Sequence, residues 1–169
     1  MRHPYEYLKE TAEIAASLDV DKIEGMAYAL SKLQGKLHII GLGGSYANAI
    51  HMAADFRKLC MIDAVVQNPA EMTANMNDAG METAFNNFFS GPEDALFVLS
   101  VGGGTNYVST GITRQVINAK NAGIPIYGIV GPNGGETAKY GTIVIQVPVS
   151  NEKHITPHTE AFQAVIWHL

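Results

Sequence analysis

Apolar residues recur at helical spacing over residues 5–17 and 21–34, with acidic and lysine side chains on the outer faces. Gly35 follows the second stretch, as expected of a glycine just past a helix C-terminus. Beyond it the pattern changes. Leu37–Leu42, Ala64–Gln67, Ala95–Val101, Ile124–Val130 and Thr142–Val147 are short runs that predict five strands, apolar on both faces. Between most of them lie stretches with helical periodicity, at 45–60, 104–122 and 134–140. Residues 68–90 predict one or two short helices with a polar break at Asn75–Gly80. A last helix begins near Thr156 and Pro157, with threonine as N-cap and proline at the first helical position. Phe162, Val165, Ile166 and Leu169 form its apolar face, and it reaches Leu169 with neither cap nor glycine, as a helix cut short would. Strands alternating with helices predict an α/β fold: a three-layer α/β/α sandwich around a five-stranded parallel sheet, preceded by two helices. The expected organisation is one domain over 1–169, with the helices of 1–35 serving oligomerisation and 36–169 forming the core.

Two of the predicted strand-to-helix turns share one design. Gly41-Leu42-Gly43-Gly44-Ser45 and Ser100-Val101-Gly102-Gly103-Gly104-Thr105 each follow an apolar run and open a helical stretch. Such a turn presents backbone N–H groups and the positive end of a helix dipole to an anion. A dinucleotide fingerprint from Gly41 would need glycine where Tyr46 stands, and a P-loop would need a lysine that neither turn contains. A phosphate would be held by N–H groups of Gly43, Gly44, Gly102, Gly103 and Gly104 and by the hydroxyls of Ser45, Ser100 and Thr105. The alternative is a pair of tight turns that need glycine for its φ alone. In a parallel sheet, ligands gather at the carboxyl ends of the strands, where both turns lie.

Composition narrows the ligand class. Nearly half of the 169 residues are apolar, 16% are charged and the net charge is −5, with no basic cluster to meet nucleic-acid phosphates. Cys60 is the single cysteine, so no internal disulfide and no cysteine-based zinc site is expected, in keeping with a reducing cytoplasm. The first residues lack the apolar stretch of a signal peptide, and no apolar run approaches a membrane span.

Two pairs of side chains could carry chemistry. His51 and Asp55 are four apart and share a helix face. Glu160 and His168 are eight apart on the last helix, about 80° from one another around its axis. Two imidazoles and two carboxylates suffice for a zinc-like divalent site or for a general acid and base. His154 and His158 flank the start of the last helix and are weaker candidates, and Asp78 reads by itself as a turn residue.

With these pieces in order, the chain resembles the SIS (sugar isomerase) domain family, of flavodoxin-like fold, and within it the phosphoheptose isomerases. The resemblance runs from the two leading helices through Gly41–Ser45, His51-Met-Ala-Ala-Asp55, Asn77-Asp78, the Ser100 loop, Gly134-Gly135 and the last helix. It implies an aldose–ketose isomerase acting on sedoheptulose 7-phosphate, assembled as a homotetramer. It also implies phosphate on Ser45, Ser100 and Thr105, proton transfer around Asp55 and His168 with Glu160, and sugar hydroxyls on Asp78. A divalent metal, zinc before nickel, manganese or iron, is implied on His51, Asp55, Glu160 and His168.

The chain departs from the family pattern in four places. The serine loop that usually reads Ser-Thr-Ser-Gly-Asn-Ser is Ser100-Val-Gly-Gly-Gly-Thr105 here, Asp55 replaces a glutamate, Glu160 a glutamine, and Pro157 an aspartate. Two other readings remain open: an isomerase of a different sugar phosphate, and a non-catalytic phosphosugar-binding or assembly protein.

Overall fold

Ile39, Phe97 and Leu99 turn their side chains to one side of a sheet, while Ile40, Leu96 and Val98 turn theirs to the other. That alternation, with apolar residues on both faces, produces a core on each side of one layer. The computed structural model describes residues 3–85 and 89–169. Its strands are β1 (Leu37–Ile40), β2 (Ala64–Val65), β3 (Ala95–Ser100), β4 (Ile126–Val130) and β5 (Ile143–Gln146). All neighbours pair in parallel, in the order β2-β1-β3-β4-β5. The five predicted strands are the five observed.

The helices are α1 (His3–Ala16), α2 (Val20–Ser31), α3 (Gly44–Leu59), α4 (Pro69–Ala79), α5 (Thr110–Asn121), α6 (Gly135–Tyr140) and α7 (Ile155–Trp167). On one face of the sheet, Ile14 of α1, Ile23, Met26 and Leu30 of α2, Met52 of α3, and Phe162 and Ile166 of α7 join the core. On the other, Met72 of α4 and Ile112, Val116 and Ala119 of α5 pack on Leu96, Val98 and Ile126. Each fully buried Leu, Ile or Phe contributes about 1.5–3 kcal/mol. The result is the predicted three-layer α/β/α arrangement. The leading helices join this core through the i, i+3 and i+7 positions of α2, Ile23, Met26 and Leu30, which cover the sheet.

Several local expectations are corrected. Gly35 is not a helix cap: α2 ends with Lys32 as its C-cap. Glycine is needed there because a β-carbon would lie 2.5 Å from the Glu93 backbone, where the chain passes beside β3. The break expected at Asn75–Gly80 comes only at Gly80 (φ 96°), so Asp78 is helical, followed by a 3₁₀ turn at Met81–Thr83. The part of that expectation on 86–88 lies outside the described residues. The last helix starts one residue before Thr156, after a 3₁₀ turn at Glu152–His154, with His154 as N-cap. Pro157 is therefore the third helical residue, where the amide has no intrahelical partner to lose. At the amino ends of the strands, His38 Nε2 meets Asp94 Oδ2 at 3.2 Å, and Asp94 also accepts from the backbone N–H groups of Lys36 (2.8 Å) and Ser90 (2.6 Å).

Candidate active site

The strand order reverses direction between β1 and β3, which makes the crevice beyond their carboxyl ends the switch point of the sheet. Both glycine turns lead away from it. After β1, Gly43 (φ 61°, ψ −129°) is the N-cap of α3. Tyr46 and Ala47 N–H groups donate to its carbonyl, at 3.1 and 3.2 Å. Ser45 is buried in the first turn. The carboxylate of Glu160, reaching over from α7, lies against Gly44 so closely that a β-carbon there would be 2.6 Å from Cδ and Oε1. A negative group at a helix N-terminus is favourable. Asn48 Nδ2 ties the two helices together by donating to the Glu160 carbonyl (2.9 Å) and to Gln163 Oε1 (3.1 Å).

The second turn differs from its expected form. A helix was predicted from residue 104, but α5 begins at Thr110, with Ser109 as a left-handed N-cap. Gly103 (φ 67°) and Gly104 (φ 79°) are left-handed too, which no helix accommodates. Their carbonyls turn toward α6 instead: Gly103 O accepts from Thr137 N (3.0 Å) and Oγ1 (2.7 Å), and Gly104 O from Glu136 N (2.9 Å). Gly134, itself left-handed, presses its carbonyl into the space that a side chain at Gly103 would fill, and Gly135 is equally tight against Gly102 and Gly104. Ser100 is buried, and its Oγ accepts from Gly103 N at 3.0 Å. Thr105 Oγ1 accepts from Val108 N (2.9 Å) and Tyr107 N (3.3 Å) and donates to Val108 O (3.2 Å). Asp78, on the last turn of α4, accepts from Asn77 Nδ2 at 3.2 Å.

His51 and Asp55 stand on the outer face of α3, and the end of α7 brings His168 to them. Asp55 Oδ2 is 3.4 Å from His51 Nε2 and 3.9 Å from His168 Nε2. The histidines are open to solvent (62% and 50% exposed) and the aspartate is half-buried. His168 Nδ1 lies 2.6 Å from the Ala164 carbonyl. A carbonyl only accepts, so Nδ1 carries the hydrogen and a neutral His168 presents the lone pair of Nε2 to Asp55. Trp167 fixes both rings: it stacks on His168 (3.6 Å, 24°) and meets the edge of His51 (4.9 Å, 75°). A carboxylate oxygen and two imidazole nitrogens within 4.8 Å of one another are a donor set suited to a divalent ion.

Of the four residues expected to share a metal, the structure brings together His51, Asp55 and His168. Glu160 stands apart, at the head of α3, about 10 Å from His51 along the helix axis by the α-helical rise. Trp167 was legible as an apolar residue but not as the platform of the site, because its role depends on how α7 packs against α3. A cavity of about 510 Å³ under α2, lined by Ile23, Met26, Leu30, Met52 and Phe97, reaches Trp167 and His168 from inside. Its apolar walls do not suit a phosphate.

No family model matches the chain. The phosphoheptose isomerase of Crocosphaera subtropica is 32% identical over 147 residues, covering 81% of this chain and 71% of that protein. The chain belongs to the phosphoheptose isomerase family. A second member, from Rhodospirillum rubrum, is 28% identical over 155 residues, covering 86% of this chain and 78% of its own length. The solved structure of phosphoheptose isomerase GmhA from Neisseria gonorrhoeae superposes with a TM-score of 0.82 at 22% identity, covering 98% of this chain and 92% of that one. The phosphoheptose isomerase family thus shares with this chain the five-stranded parallel sheet and its helical layers.

Proposed function

We propose that this chain interconverts sedoheptulose 7-phosphate and glycero-manno-heptose 7-phosphate, with its acid–base groups at Asp55 and His168. The observation that carries this reading is the carboxylate of Asp55 facing two imidazoles, one with its tautomer fixed by Ala164. A sensor of phosphosugars would need the glycine turns but not this trio. The distance of about 10 Å along α3 between Gly44 and His51 matches an extended seven-carbon chain with its phosphoester, at bond lengths near 1.5 Å. Phosphate at Gly43, Gly44, Ser45, Ser100 and the Gly102–Thr105 turn then leaves the carbonyl end beside Asp55, with Asp78 available to hydroxyls of the middle carbons.

Aldose–ketose exchange needs a base and an acid at one pH. Asp55 takes the proton from C1 while a protonated His168 Nε2 gives one to the C2 oxygen, which yields a 1,2-enediol. Loss of the O1 proton and return of a proton to C2 complete the aldose. His51, Asp55 and His168 are also the residues that would hold a divalent ion, zinc before nickel, manganese or iron. That ion would take the His168 Nε2 lone pair and supply Lewis-acid polarisation of the carbonyl in place of the His168 proton.

The exposed Tyr5, Leu8 and Tyr28 on α1 and α2 support assembly through the residue 1–35 helices, as a homotetramer. No described helix is long and apolar enough to cross a membrane. A cytoplasmic location accords with the unpaired Cys60.

The test is isomerisation of sedoheptulose 7-phosphate in deuterated water, followed by proton NMR. Deuterium should enter the sugar next to the carbonyl, and Asp55→Asn should slow this by about 10²- to 10⁴-fold. Sugar phosphate that binds without exchanging would convert the reading to a non-catalytic binder, and exchange confined to a different ketose phosphate would change the substrate.

A further inference from the structure

At the opposite end of α7 from His168, a second trio of donors converges. Glu10, from α1, places Oε2 2.7 Å from His154 Nδ1 and 2.9 Å from His158 Nε2. The three donor atoms lie within 4.8 Å of one another. His158 is 1% exposed, and Tyr7 stacks on its ring at 4.1 Å and 17°. Glu10 and His154 keep a solvent edge, at 20% and 16%.

Asn151 braces Glu10 beside His154. Lys153 N–H donates to Asn151 Oδ1 (3.2 Å), which fixes the amide so that its NH₂ faces Glu10 Oε1 (2.7 Å) and His154 Nδ1 (3.0 Å). Without an ion, a hydrogen on His154 Nδ1 serves Glu10 Oε2; an ion in that place would take the Nδ1 lone pair instead.

We propose that Glu10, His154 and His158 form a second divalent-cation site, of the zinc class, that fastens α1 to the start of α7. Two imidazole nitrogens and one carboxylate oxygen suit zinc, and the solvent edge leaves room for water as a fourth ligand. A tetrahedral ion spaces its donors about 3.3 Å apart, given metal–ligand distances of about 2.0–2.2 Å. Glu10 Oε2 therefore withdraws by about 0.5 Å, through its own side-chain torsions, when the ion enters. The site is separate from the His51 trio: His154 and His168 are fourteen residues apart, about 20 Å along an α-helix.

The experiment removes the first trio so that the second stands alone. Full-length protein carrying Asp55→Ala and His168→Ala, at a half-buried and an exposed position, is stripped with chelator and titrated with Co²⁺ and then Zn²⁺. The expected result is one cobalt per chain with d–d absorption, and a Tm raised by about 5 °C at a hundredfold excess over Kd. Adding Glu10→Gln to the same chain should abolish both, with circular dichroism checking that α1 remains folded. Absence of bound cobalt in the double variant overturns the proposal without any change at Glu10. So does a Tm that falls with Glu10→Gln but ignores metal, the behaviour of a hydrogen-bonded fastening. Retention of cobalt in the Glu10→Gln chain overturns it as well.

Discussion

The carboxylate of Glu160 occupies the space that a β-carbon on Gly44 would fill, so α3 begins with an anion from the chain itself at its head. A phosphate bound there is met by a like charge, where the family pattern has a neutral glutamine. Two unit charges about 4 Å apart cost about 1 kcal/mol in water-like surroundings. Glu160→Gln should therefore tighten inorganic phosphate and sugar phosphate binding by about fivefold, read by calorimetry. Unchanged or weaker binding would mean that the phosphate lies away from α3 and on the Ser100 turn alone.

Ser100 and Thr105 should separate in their effects. Ser100→Ala removes the acceptor for Gly103 N and leaves a buried N–H unmet, at about 1–3 kcal/mol of stability. Thr105→Ala opens an exposed turn, so its Tm should move little. Both should weaken sugar phosphate binding by roughly 10- to 100-fold, because hydrogen bonds to charged groups contribute about 1.5–3 kcal/mol. Equal binding in both variants and the parent would leave the turn a purely structural device.

Metal removal tests the His51 trio. Elemental analysis of untagged protein, then activity before and after chelation, should show loss of turnover that Zn²⁺ restores. His51→Ala should lower metal affinity without altering the Tm of the stripped protein, since His51 is exposed. Full activity in metal-depleted protein would leave Asp55 and His168 as the entire acid–base apparatus.

A pH effect follows from the buried His38–Asp94 pair. Burial lowers the His38 value below the usual 6.5, with Asp94 pulling partly the other way. The folded chain then binds fewer protons than the unfolded one just below pH 6.5, so stability falls as the pH drops through that window. For Asp94, burial is outweighed by donors from Ser90, Lys36 and His38, and its carboxyl lies below 3.8. Its contribution is complete above that value and is lost on further acidification. Urea midpoints should decline between pH 7 and pH 5, and His38→Gln should flatten that decline. An unaltered slope in the variant would assign the effect elsewhere.

The strands were legible because residues such as Ile39, Ile40, Phe97 and Val98 are apolar at consecutive positions, which only a sheet buried on both faces requires. His51 and Asp55 were legible because four residues bring side chains to one helix face. What escaped the sequence depends on distant partners. The start of α5 was misjudged because Gly103 and Gly104 answer to Thr137 and Glu136, more than thirty residues on. The pitch of α7 gives Glu160 an angle but not what lies opposite it, which here is Gly44. Glu10 could not be paired with His154 and His158 across more than 140 residues, although the histidines' own spacing was visible.

Helix α7 touches α1 near its first residue through His158, meets the head of α3 through Glu160, and delivers His168 to the side of α3 at its far end. Its length is therefore a measured span rather than a free variable. One residue inserted between Glu160 and His168 would turn His168 by about 100° and shift it about 1.5 Å, away from Asp55. Descendants of this sequence should accept insertions in the stretch between β5 and Asn151, and reject them within α7.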